Sequence, residues 1–123
     1  MATKNLIGSD IELIVSDPWE FCSVHGTGPF LAKVTKVGRD SQIPTKEAIQ
    51  IRFSTPLPYK GMLCEYFITS PRLESGDLGD LVYDREVFCS LTAISADRAN
   101  SPDPFDLSWW RGGIGLIGTM RRR

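Results

Sequence analysis

Apolar side chains in this chain recur at every second position, and the three-and-four spacing of a helix is almost absent. Ile11, Leu13 and Val15 are separated by Glu12 and Ile14, and Phe30, Ala32 and Val34 by Leu31 and Lys33. Ile49, Ile51 and Phe53 alternate with Gln50 and Arg52. A period of two is the pleat of a β-strand, which turns successive side chains to opposite faces and buries one of them. Residues 86–95 repeat the pattern, with Val87, Cys89, Leu91 and Ala93 on one face and Phe88, Ser90, Thr92 and Ile94 on the other. Residues 62–69 are rich in aromatic and β-branched side chains, and residues 108–120 read as a final strand unusually rich in glycine. Glycine inside a strand marks a bulge, tight coiling or the close approach of another backbone.

The punctuation between these runs agrees with short strands joined by turns. The chain has 11 glycines and 8 prolines in 123 residues. Asp17-Pro18-Trp19-Glu20 predicts one short helical turn, with Asp17 as cap, Pro18 at the first helical position and Glu20 reaching back. Pro56-Leu57-Pro58 predicts the end of pairing for the third strand, because proline lacks the N–H a ladder needs. Residues 73–80 read as a loop or a single turn. Residues 96–106, with Asn100-Ser101-Pro102-Asp103-Pro104, read as an irregular loop of about ten residues, a length at which loops are often functional. The expected fold is all-β: a single domain over residues 1–123, six- or seven-stranded, a mostly antiparallel barrel or closed sandwich with at most one or two short helical turns. SH3-like and oligonucleotide-binding-type barrels are the nearest generic architectures.

Composition is that of an ordinary globule, 41% hydrophobic and 24% charged, which excludes disorder, collagen and coiled coil. The net charge of −1 argues against a global field for nucleic acid, but the charge is unevenly laid out. Residues 74–106 hold eight acids against two arginines, and residues 107–123 hold four arginines and no acid. Acidic loops and a basic C-terminus that frays and contributes little to folding are the expectation. No secretory h-region and no apolar run of membrane-spanning length is visible, so a cytoplasmic protein without a membrane partner is expected.

Cys22, Cys64 and Cys89 are odd in number, which favours free thiols in a reducing compartment. Cys22 and His25 have the spacing of half a zinc site, but His25 is the lone histidine and the other cysteines are solitary. Neither a structural metal nor a Cys–His nucleophile pair is expected, and no cofactor is implied. Gly26-Thr27-Gly28-Pro29 lacks the Lys-Ser/Thr of a phosphate loop, and residues 77–84 lack the order of a calcium loop.

Trp109-Trp110-Arg111 is the most suggestive local cluster. Alternation puts one tryptophan in the core and the other on the rim beside an arginine, the composition of an interface hot spot or of a base-stacking platform. Arg72 follows Pro71 at a strand exit, where its guanidinium could pair with an acid or fork onto a carboxylate or phosphate. Asp103 marks the long acidic loop. The expected binding residues are therefore Trp109, Trp110, Arg111, Arg72 and Asp103. The expected function is non-catalytic binding through a protein partner or self-association as a homo-oligomer. The alternatives are a barrel for single-stranded nucleic acid, drawing on Tyr59, Lys60, Arg72 and the terminal arginines, and a small enzyme using carboxylates.

Overall fold

The computed structural model describes residues 5–39, 47–72, 78–106 and 114–123. Six strands form a closed antiparallel barrel: β1 (Asp10–Asp17), β2 (Phe30–Arg39), β3 (Glu47–Tyr59), β4 (Met62–Pro71), β5 (Val87–Ile94) and β6 (Gly115–Arg122). Each strand pairs with its neighbour in sequence, and β6 returns to β1 to close the seam. This up-and-down meander differs from the five-stranded Greek-key order of the oligonucleotide-binding type. Closure removes the two long edges that an open six-stranded sheet would expose.

The alternation read in the sequence sets the inside. Ile11, Leu13 and Val15 of β1, Ile49, Ile51 and Phe53 of β3, and Val87, Cys89, Leu91 and Ala93 of β5 all join one buried cluster. An aromatic column fills the barrel: the rings of Phe30 and Phe53 stack at 5.7 Å, and Phe53 lies 4.7 Å from Phe67. Aromatic pairs at such spacings add roughly 0.5–1.5 kcal/mol each beyond the area they bury. Helix α1 (Trp19–His25) closes one end by inserting Phe21, edge-on to Tyr59 at 5.2 Å and to Phe30 at 5.9 Å. A 3-10 helix (Leu78–Tyr83) closes the other end with buried Leu78 and Leu81, touching β3, β5 and β6.

Several local expectations are corrected. Asp17 belongs to β1, and Pro18 occupies the cap of α1 with no side-chain cap bond. Pro56 and Pro58 do not end the third strand: after a register shift, Leu57 pairs with Cys64, Pro58 with Leu63 and Tyr59 with Met62. Lys60 and Gly61 both have positive φ, 48° and 77°, as a two-residue type I′ hairpin requires. In that hairpin Leu57 and Tyr59 face β4 with their N–H groups, so the two prolines fall where no ladder bond is lost. The basic tail is not frayed: Arg121 and Arg122 pair with Glu12 and Ile11, and the Arg123 N–H donates to Asp10 O at 2.9 Å. Its guanidinium groups meet the acidic block at Asp84 (3.2 Å from Arg122) and Glu86 (4.0 Å from Arg121). Gly118 bears out the expected close backbone approach, because a Cβ there would run into the backbone of Ile14 and Val15.

Candidate functional site: an outer groove beside β2

Among the described residues, one side of the barrel's outer surface carries a cover. After β5 the chain turns through α2 (Ala96–Ala99), which an all-irregular reading of this segment missed. Ser95 caps it, its side chain accepting from the Arg98 N–H at 3.2 Å. The segment then runs back across the outside of β4, β3 and β2 as a strap. Ile68, Ile94, Ala48, Ala99 and Phe105 form a second buried cluster beneath it. Gly38 has no side chain because the Phe105 ring occupies the place: a Cβ there would lie 2.5 Å from it. Lys36 ties the strap down, donating to the carbonyls of Ala99 at 2.7 Å and Ser101 at 3.3 Å. Arg98 donates to Asp106 O at 2.6 Å and closes the strap on itself. Gln50, on the outer face of β3, is buried by this cover although the alternation predicts it exposed. Its amide donates to Thr35 Oγ1 at 3.0 Å, and Thr35 donates to Gln50 O at 3.1 Å.

Between the strap and β2 lies a groove of about 980 Å³, lined by residues 35–39 and 100–106 and bordered by Ile7. β2 is open there. β1 pairs with it no further than Asp10 with Lys33, and Val34 is held by Ser9 and Gly8 through backbone bonds of 3.0 and 2.8 Å. Residues 36–39 are paired on the β3 side up to Arg39 with Glu47. The groove thus combines a strand edge, an aromatic ring and proline rings, with the exposed carboxylate of Asp103 on the strap.

The expected site residues are not gathered in one place. Asp103 lines the groove. Arg72 immediately follows β4 and reaches across to β5, its N–H donating to Phe88 O at 2.9 Å and its guanidinium to Ser90 Oγ at 3.4 Å. Arg72 therefore lies at the β4–β5 seam and is not among the residues that line the groove with Asp103. Trp109, Trp110 and Arg111 lie outside the described residues. The side chains gathered for nucleic acid are dispersed as well. Lys60 sits at the α1 end over the ring of buried Tyr59, at 5.4 Å, while the terminal arginines at the other end face Glu12, Asp84 and Glu86.

Cys22 and His25 do not converge either. Cys22 donates its thiol to Val15 O at 3.6 Å, and His25 Nε2 lies 2.7 Å from Pro58 O. All three cysteines are unpaired, and burial pushes the Cys89 thiol up to about 12. Among the described residues no cluster of three or more His, Cys, Asp or Glu side chains could hold a metal ion, and no helix is long and apolar enough to cross a membrane.

The residues that sequence reasoning missed are Lys36, Gly38 and Phe105. Ser95 before Ala96-Asp97 was a readable helix-start signal, but nothing local announces that Phe105 packs on Gly38. A second surface also emerged. On the wall opposite the strap, Ile14, Thr119 and Phe88 form one cross-strand row, with Ile14 44% and Phe88 42% exposed. The fold and groove together define a filled up-and-down barrel whose concave surface is on the outside. Compared with protein-family models, curated proteins and solved structures, the chain matches none.

Proposed function

We propose that this chain is a non-catalytic binding module that holds a protein partner in the groove beside β2. The observation that carries the reading is the make-up of that groove: the edge of a strand, a ring held in place by Gly38, and a strap anchored by Lys36. Strand edges and rigidly held aromatic rings are the materials of protein recognition. The barrel interior is packed with side chains from all six strands, which turns attention to the outside. Three unpaired thiols fit a cytoplasmic setting, which belongs to the same proposal.

Site-directed photocross-linking in the native host tests the reading. A photoreactive residue at Ile7 or Asp103 is expected to give one discrete protein adduct, and the same residue at Ile14 or Phe88 none. Adducts only from the Ile14 and Phe88 wall, or none from the groove, overturn it. Self-association is the second reading, favoured by the exposed Ile14–Phe88 row. Sedimentation that finds a dimer, converted to monomer by Phe88→Lys, would support it.

A further inference from the structure

The strap rests on the outer wall at two neighbouring cross-strand pairs: Gly38 lies opposite Ala48, and Lys36 opposite Gln50. The first pair carries almost no side chain, and the Phe105 ring fills the place a Cβ of Gly38 would take. The second pair is polar, and the Lys36 ammonium holds the carbonyls of Ala99 and Ser101 at the end of α2. Ala48, Ile68, Ile94, Ala99 and Phe105 form a cluster separate from the one that fills the barrel. The wall divides the two clusters, because successive side chains of a strand point to opposite faces. The strap is also bonded to itself. Arg98 donates to Asp106 O at 2.6 Å, Ser101 Oγ to Arg98 O at 2.6 Å, and Asn100 Nδ2 to Ala96 O at 2.8 Å.

The chain leaves the barrel after Ile94 and is back at Ile114, whose carbonyl accepts from the Ala93 N–H at 2.9 Å, beside the ladder pair of Thr92 with Gly115. Residues 96–106 can therefore come off the wall without breaking any of the six strand ladders. Lifting also relieves a cost. Gln50 is 2% exposed and lies opposite Ile68, within the second cluster's footprint. Its Nε2 donates to Thr35 Oγ1, but its Oε1 has no hydrogen-bond partner among the described residues. A buried acceptor without a donor has given up its water and gained nothing in return, and an opened strap gives the water back. Packing of the Phe105 ring and the Lys36 bonds hold the strap closed, and Gln50 opposes them. We propose that the strap is a latch, which lifts from the outer wall as one body while the barrel beneath stays folded. Opening removes the strap's side of the groove and bares Ala48, Ile68 and Ile94. The position of the strap thus sets which of two surfaces the barrel presents.

Thiol labelling of the full chain with an aromatic disulfide reagent tests this, with Cys22→Ala as background because Cys22 is half-buried. Ala48→Cys puts a thiol on the wall under the strap, and Ala99→Cys puts one on the strap's own underside; both positions are fully buried. Cys64 and Cys89, inside the barrel, report its global unfolding. Either introduced thiol is expected to react about a hundredfold or more faster than Cys64 and Cys89. Gly118→Ala strains the β1–β6 seam in the closed and the opened strap alike. It is expected to speed labelling of Cys64 and Cys89 and to leave the introduced thiols unchanged. Lys36→Met is expected to speed the introduced thiols about tenfold, and Gln50→Met, which removes the unpartnered acceptor, to slow them about tenfold. Introduced thiols that react no faster than Cys64 and Cys89, or that speed up with them in Gly118→Ala, overturn the proposal, because the strap then opens only when the barrel does. Fast reaction at Ala48→Cys without fast reaction at Ala99→Cys overturns it too, since the added sulfur would itself have lifted the strap. Indifference to Lys36→Met, or faster labelling in Gln50→Met, overturns the balance of forces on which the latch rests.

Discussion

Replacing Gly118 with alanine probes the seam on which barrel closure depends. A Cβ at this position would collide with the Ile14 carbonyl oxygen and lie 3.1 Å from both Ile14 C and Val15 Cα. All three are backbone atoms of β1, so no rotamer change relieves the clash. Relief requires β1 to move away from β6 where Ile14 pairs with Thr119 and Leu13 with Met120, beside the register shift between Val15 and Asp17. Overpacking costs about 1–3 kcal/mol where side chains can yield. With a rigid ladder as the obstacle, the expected loss is about 3 kcal/mol. A 123-residue chain at roughly 0.05–0.15 kcal/mol per residue holds about 6–18 kcal/mol, so the variant folds and the loss is measurable. Thermal unfolding should show a fall of about 10–15 °C, taking about 3–5 °C per kcal/mol at this size. Gly115→Ala is the control, because its Cβ would meet only Leu91 O at 3.7 Å, an ordinary contact. Both changes reduce the freedom of the unfolded chain alike, so their difference isolates the clash. Equal shifts for the two variants, or a loss below about 1 kcal/mol for Gly118→Ala, would refute the reasoning.

Removing residues 121–123 should cost about 2–4 kcal/mol, since it strips backbone bonds from the β1–β6 seam; changing the three arginines to glutamine should cost under about 1 kcal/mol, because their ion pairs are exposed. Urea titration of both forms checks this, and an unchanged midpoint on truncation would contradict the observed pairing. Thr69 is fully buried inside the barrel and its hydroxyl has no hydrogen-bond partner among the described residues, so Thr69→Val should raise stability by about 1 kcal/mol; a loss would mean that the hydroxyl is hydrogen-bonded in solution. Burial pushes Cys89 from 9.0 up to about 12, so the folded state keeps a proton that the unfolded chain releases, and stability falls as pH rises from about 9 to 12. By about pH 10.5 the accumulated loss is roughly 2 kcal/mol, and unfolding of the parent and Cys89→Ala across this range should show it only in the parent.

The barrel was legible because its signal is local. Ile11, Leu13 and Val15, or Val87 through Ala93, state their own inside face, and six such runs with no helical period leave few ways to bury them. The prolines at 56 and 58 misled because their cost depends on which way each N–H points, a property of the hairpin register rather than of the residues themselves. The arginine tail misled similarly: like charges in sequence suggest repulsion, yet in a closed barrel the last strand meets the first, and Glu12 was waiting opposite Arg121.

The groove was the least legible feature, and the reason lies in how it is made. Its position follows from β2 outrunning β1 and from Phe105 settling on Gly38, and both depend on where distant segments end. Gly38 reads locally as the end of a strand, and Asp103 as one acid among many. Only the strap gives each of them a role, because a single ring laid on a missing side chain converts an ordinary outer wall into a wall with a floor and two sides. A groove of this kind leaves no motif in the sequence, because a strand edge is main chain and the residues beside it come from distant segments.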